Sequence, residues 1–305
     1  MHLFTAEIND WASWGKVFQS INDFAPLIKS IFDCHDLPWQ TIEHCTPGTN
    51  AVFKVGDLVI KIFAPRESGV DMESDYQTEL FGLERAHKLG IWAPKLVASG
   101  MIKDKYLFRY MIMEYISGRS FEHVESEMSD HAKRAFAEQL RVITKIMNTP
   151  SEPFNNWDVI ARALRNQRWT AFPLSFQEER RQYLLTADIS NPVYVHGDLN
   201  PDNILIDSAG KIYIIDFADA VLAPSYYELP AIVCQLFTFA KPYMDGYFGT
   251  YDPDELVEQC VAGLLLHDFG YNIIRCNLGC IEEITSLSVL RDRLYAAIKE
   301  GKSFG

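Results

Sequence analysis

One stretch constrains this chain more than any other. It reads His196-Gly197-Asp198-Leu199-Asn200-Pro201-Asp202-Asn203, followed after an apolar run by Ile214-Ile215-Asp216-Phe217-Ala218-Asp219. The pattern predicts a strand ending near Val195, then a tight loop carrying Asp198 and Asn203. A hairpin of Ile204–Ile206 with Ile212–Ile215 would return Asp216 to their side. An Asp in a lone H-x-D triplet is commonly structural. Asp198 with Asn203 five residues on, and Asp216 after the next strand, is a phosphoryl-transfer spacing. One carboxylate can accept a hydroxyl proton while an amide and a second carboxylate hold a divalent metal on a nucleotide's phosphates. Such a transfer needs positioning and charge neutralisation more than covalent chemistry, so few residues suffice.

The body around that stretch is large. A chain of 305 residues allows one large domain or two lobes, and 48% hydrophobic residues supply a sizeable core. No apolar run reaches 18 residues, which excludes a spanning helix. Glu7 and Asp10 come early and no basic start leads into an apolar stretch, so no signal peptide is expected. The six cysteines form no C-x-x-C pair; Cys276 and Cys280 lie four apart in a helical stretch and read as buried thiols. The chain reads as cytoplasmic and reduced. Its net charge is −13, and residues 216–305 hold 13 Asp/Glu against six Lys/Arg. That balance argues against nucleic acid and anionic membranes as partners. It suits a cationic small molecule, although solubility alone also accounts for such a charge.

Residues 10–34 place Trp14, Phe18, Ile21, Phe24, Ile28 and Ile31 at spacings of three or four, predicting one amphipathic helix or two broken near Pro26. Their expected role is packing. Strands follow at Thr41–Thr46, Ala51–Val55 and Leu58–Phe63, the last two joined by Gly56-Asp57. Alternation puts Lys61 on the face of Val59 and Phe63, either snorkelling at an edge or buried with anionic partners. Ser74 opens a capping box for a helix to about Leu89, with Tyr76, Leu80, Leu83 and His87 as its inward stripe. Glu79 and Glu84 both flank that stripe, and periodicity does not choose between them. Tyr110–Gly118 reads as a buried strand ending at a glycine, and Ala135–Met147 as the clearest helix of a mainly helical remainder.

H-G-D-L-N-P-D-N-I-L with I-D-F-A-D-A resembles the aminoglycoside phosphotransferase and choline kinase superfamily, whose fold is similar to that of protein kinases. Segments agree in order and spacing from about residue 42 to residue 232. The resemblance implies an α+β, two-lobed protein-kinase-like fold. Residues 1–116 would form a helical segment plus a β-rich nucleotide-binding lobe, and residues 117–305 a helical lobe with the catalytic loop and the acceptor site. It implies Asp198 as the base for the acceptor hydroxyl, and Asn203 and Asp216 as holders of Mg²⁺ on ATP or GTP. His196 would brace the loop. Gly48, Thr49 and Asn50 would arch over the phosphates, Lys61 would contact them, and Glu79 would hold Lys61. Val59 would cover the adenine, Met113 would border its pocket, and the backbones of Glu114 and Ile116 would bond its ring.

The segment after Asp216 reaches Tyr227-Glu228-Leu229-Pro230 within about a dozen residues. That leaves no room for a peptide-docking activation loop, which points to a small-molecule acceptor. One departure stands here. Ala223 and Glu228 occupy positions where the family carries two aspartates that buttress its catalytic loop. For the acceptor, Asp245, Asp252, Asp254, Glu255, Glu258, Asp268, Glu282 and Glu283 in the helical remainder point to an aminoglycoside-like cation. The alternatives are a metabolite kinase for choline, homoserine or a sugar, and a nucleotide-binding module without turnover.

Overall fold

A computed structural model describes residues 2–300. Its contacts divide the chain into two units: the chain up to His87 with Ala93–Ser117, and Lys88–Trp92 with the chain from Gly118 onward.

The first unit opens with helices α1 (Trp11–Val17) and α2 (Ile21–Cys34). The helical run breaks at Phe18–Ser20 and not near Pro26, because the Ser20 hydroxyl accepts the Asp23 N–H and starts a new helix. Pro26 then lies inside α2, where burial of Phe24, Leu27, Ile28, Ile31 and Phe32 outweighs one lost backbone bond. Strands β1 (Ile42–His44), β2 (Ala51–Val55), β3 (Leu58–Ile62), β4 (Leu96–Lys103) and β5 (Leu107–Glu114) form an antiparallel sheet in the order β1-β2-β3-β5-β4. At the β2–β3 turn Gly56 has φ +64°, and a Cβ there would meet the Gln40 carboxamide at 2.6 Å. Phe24 packs on Phe53 of β2 at 5.6 Å and on Phe108 of β5 at 6.1 Å, so α2 covers one sheet face.

Helix α3 (Glu73–Lys88) begins one residue before the predicted capping box. Asp71 accepts the Glu73 N–H at 3.1 Å, which leaves Ser74 within the first turn. Its buried face is Tyr76, Thr78, Glu79, Gly82, Leu83 and Ala86; the predicted His87 is exposed and meets the Pro94 carbonyl instead.

The second unit carries short strands β6 (Gly118–Ser120), β7 (Val193–Val195), β8 (Ile204–Asp207), β9 (Ile212–Ile214) and β10 (Val221–Ala223). Strands β6, β8 and β9 form one small sheet, and β7 pairs with β10. Around them pack the helices α4 (Phe121–Val124), α5 (Asp130–Met147), α6 (Val159–Arg165), α7 (Leu174–Thr186), α8 (Lys241–Phe248), α9 (Pro253–Leu266), α10 (Gly270–Asn277) and α11 (Leu287–Glu300). Helix α5 starts five residues before the predicted Ala135, because the Ser129 hydroxyl caps it by accepting the Ala132 N–H. Cys276 and Cys280 are exposed and not buried, since α10 ends at Asn277. A buried π-helical turn spans Ala231–Leu236 and is followed by Thr238 (φ 45°) and Phe239 (φ 61°), two consecutive left-handed residues that are not glycine. No helix among the described residues is long and apolar enough to cross a membrane.

Candidate active site

In the first unit, β3 brings the predicted residues onto one sheet face. Lys61 is 5% exposed and Glu79 2% exposed, and the Lys61 ammonium donates to the Glu79 carboxylate. A buried lysine is tolerable only beside such an anion. Glu84, the other carboxylate that periodicity left open, is exposed on α3. Val59 stands directly across from Met113 in the β3–β5 ladder, and Lys61 across from Met111. At the end of β5 the Glu114 N–H donates to Lys95 O and the Tyr115 N–H to Asp57 O, both at 2.9 Å, which fixes the strand exit ahead of Ile116. Gly48 and Thr49 lie in an exposed loop, nothing crowding a Cβ at Gly48, while Asn50 is 4% exposed.

In the second unit, β7 ends at Val195 and the loop turns sharply at Gly197, whose φ is +82°. A Cβ there would lie 2.1 Å from the Asp219 carbonyl, so only glycine lets the loop pass this close to the chain after Asp216. His196 is fully buried. Its Nδ1 accepts the Asp198 N–H (3.3 Å), which leaves Nε2 to donate to Ile215 O at 3.1 Å. One ring thus ties the loop to the strand that delivers Asp216. The Ile215 N–H also donates to Asn203 O at 3.1 Å.

Asp198, Asn203 and Asp216 converge through these bonds. Asn203 Nδ2 donates to the Asp198 carboxylate at 3.1 Å and to the Asp198 carbonyl at 2.8 Å. Burial pushes the Asp198 carboxyl up to about 6; the Asp216 charge adds to the rise, and amide bonds from Asn200 and Asn203 oppose it. Asp216 itself holds a left-handed backbone, φ 61° and ψ 70°.

One participant escaped the sequence reading. Asn200 Nδ2 donates to Asp198 Oδ1 at 3.0 Å while its Oδ1 accepts the N–H groups of Asp202 and Asn203. The Asn-Pro pair in the loop is the signal that could have found it. Glu228, which the sequence sets at a loop-buttressing position, is buried and accepts the His196 N–H at 2.6 Å and the Gly197 N–H at 3.2 Å. Burial pushes its carboxyl up to about 7, and the two N–H bonds pull the other way.

The donor set suits a small hard cation. Asn203 uses Nδ2 toward Asp198, so its oxygen is the atom that would join the Asp216 carboxylate on such a cation. Among the described residues no group of three or more His, Cys, Asp or Glu could hold a metal alone. Two oxygen ligands completed by phosphate and water are what Mg²⁺ accepts.

The acidic residues expected to attract a cation are largely committed within the chain. Asp245 pairs with Arg134 and Lys241, Glu258 with Arg291, Asp268 with Arg162, and Glu283 with Arg293. Asp252 caps α9 by accepting the Asp254 N–H. Of the aromatics, Trp169 is 3% exposed and stacks under the Arg180 guanidinium.

The chain is similar in fold to the GDP complex of wild-type aminoglycoside 2'-phosphotransferase-IIIa, at 19% identity over 93% of this chain and 100% of that one, TM-score 0.61. It is also similar to the streptomycin-ATP-APH(2")-IIa ternary complex (15% identity, 87% of this chain and 98% of that one, TM-score 0.59). A third is the choline kinase LicA from Streptococcus pneumoniae (14% identity, 90% and 98%, TM-score 0.57). No curated protein sequence matches the chain. The fold is the mixed α+β, protein-kinase-like one, with its sheet in the N-terminal region and its helices toward the C-terminus. The family model of the phosphotransferase enzyme family matches residues 48–259, more than half of the chain, and the protein belongs to that family.

Proposed function

We propose that this phosphotransferase moves the γ-phosphoryl group of ATP or GTP to a hydroxyl of a small, cationic, aminoglycoside-like acceptor. The observation that carries the reading is the join of Asp198, Asn203 and Asp216 through His196 and Asn203 in one short stretch of chain. Asp198 orients the acceptor hydroxyl and takes its proton as the phosphoryl group departs; burial raises its carboxyl to about 6, which makes it a stronger base than an exposed aspartate. Asn203 and Asp216 hold Mg²⁺, which when bound neutralises charge on the phosphates. Lys61, steadied by Glu79, contacts the phosphates, and Gly48, Thr49 and Asn50 offer backbone N–H groups to them. Val59 and Met113 enclose the base, which the Glu114 carbonyl and the Ile116 N–H read.

Structural neighbours include proteins in complex with kanamycin and with streptomycin, which supports an aminoglycoside-like acceptor. The choline kinase neighbour, and the ion pairs that occupy Asp245, Glu258, Asp268 and Glu283, favour a second reading, a metabolite kinase for choline, homoserine or a sugar. A coupled ADP- and GDP-release assay with Mg²⁺ over aminoglycosides, amino alcohols and sugars decides between them. Absence of turnover with every hydroxyl compound, alongside nucleotide binding, would leave a binding module and end the enzymatic reading.

A further inference from the structure

Helix α1 ends its packing run on a polar contact that packing does not require. Trp14 is 1% exposed, and its ring is braced edge-on against Phe24 at 6.0 Å, which in turn rests on the sheet. A tryptophan could fill that space with its ring alone. Its indole N–H instead reaches out of the core and donates to the Thr49 carbonyl at 2.9 Å.

The accepting residue sits in the loop 46–49, which is exposed. Among the described residues this is the one side-chain hydrogen bond those four residues receive. The next residue, Asn50, is buried, and among the described residues its Oδ1 has no hydrogen-bond partner. The loop is therefore held from outside and is not closed on itself.

Peptide planarity turns this bond into a constraint on direction. In a trans peptide the carbonyl of one residue and the N–H of the next point opposite ways. Pinning Thr49 O toward Trp14 thus aims the Asn50 N–H away from α1. A loop that cradles phosphates works by presenting such N–H groups in a fixed direction, and pre-ordering it lowers the entropy lost on binding.

We infer that Trp14 is a positioning residue for the nucleotide: its indole N–H sets the peptide plane of the phosphate-facing loop, so that the N-terminal helix tunes nucleotide affinity. The inference rests on the reading of Gly48–Asn50 as nucleotide-contacting. A single neutral hydrogen bond of this kind corresponds to a change of about three- to ten-fold in affinity.

The experiment measures the dissociation constants of Mg·ATP and Mg·GTP by calorimetry on the full chain. Trp14→Phe keeps an aromatic ring and removes the N–H. Ile28→Val, in the α2 core, serves as a packing control, and Lys61→Ala tests the nucleotide site itself. The expected result is weaker nucleotide binding by about three- to ten-fold in Trp14→Phe, unchanged binding in Ile28→Val despite a lowered Tm, and loss of binding in Lys61→Ala. Wild-type affinity in Trp14→Phe, with binding lost in Lys61→Ala, would overturn the role of Trp14 and leave the proposed function standing. Equal weakening in Trp14→Phe and Ile28→Val would reduce the contact to packing and overturn it as well. Wild-type affinity in Lys61→Ala would overturn the nucleotide site, and the inference with it.

Discussion

The Glu228 carboxylate accepts the backbone N–H of His196 at 2.6 Å across 32 residues of sequence, and this bond supports the loop on which Asp198 stands. The second carboxylate oxygen takes the Gly197 N–H, so one buried side chain satisfies two consecutive donors. Glu228 thus reaches the loop with both of its oxygens.

Glu228→Gln tests that support. The amide keeps one acceptor oxygen and turns an NH₂ group toward the other N–H, leaving a buried donor unsatisfied. The expected cost is about 1–3 kcal/mol of stability, read as a lowered denaturation midpoint, together with reduced turnover. An unchanged midpoint would show that the contact does not support the loop.

Asp198→Asn removes the proposed proton acceptor and preserves the shape. Turnover should fall by about 10²–10⁴-fold while nucleotide affinity survives, measured by steady-state kinetics beside calorimetry. Wild-type turnover in this variant would remove Asp198 from the chemistry.

Lys61→Met deprives the buried Glu79 of its ammonium partner. The single variant should lose about 3 kcal/mol, because an uncompensated charge in the interior is costly. Adding Glu79→Leu should restore the melting temperature but not nucleotide binding. Recovery of both would show that the pair is structural only.

Burial holds the His267 ring down to about 3, against 6.5 in an open chain. The unfolded chain therefore binds a proton between those values that the folded chain refuses, so stability is full above pH 6.5 and falls as the pH drops toward 3. His267→Asn, which keeps an acceptor near the Phe269 N–H, should flatten that slope in denaturant titrations from pH 7.5 to pH 4. Parallel slopes in the two proteins would rule out His267 as the group responsible.

Legibility followed locality. Asp198, Asn203 and Asp216 lie within one turn and one hairpin, so local rules of turn and strand were enough to place them together. Glu79 could not be separated from Glu84 by helix periodicity, since the difference is which carboxylate meets a lysine on another element. Strand β4, Leu-Val-Ala-Ser-Gly-Met-Ile-Lys, went unpredicted because it lacks clean alternation and gains its strand form by pairing with β5. The acidic residues of the helical remainder are countable from sequence, but Arg134, Arg162 and Arg291, which pair with Asp245, Asp268 and Glu258, come from distant sequence. A charge count does not register such pairing.

Thr238 and Phe239 carry a last consequence. Both stand in the left-handed region, which a β-branched or bulky residue enters at a cost on the order of 1 kcal/mol. Directly after the wide turn that follows Glu228, the chain therefore holds reserve stability that a designer could release. A glycine at position 238, where the threonine side chain is exposed, would relieve the strain there without removing buried apolar surface, and a hardier protein is within reach.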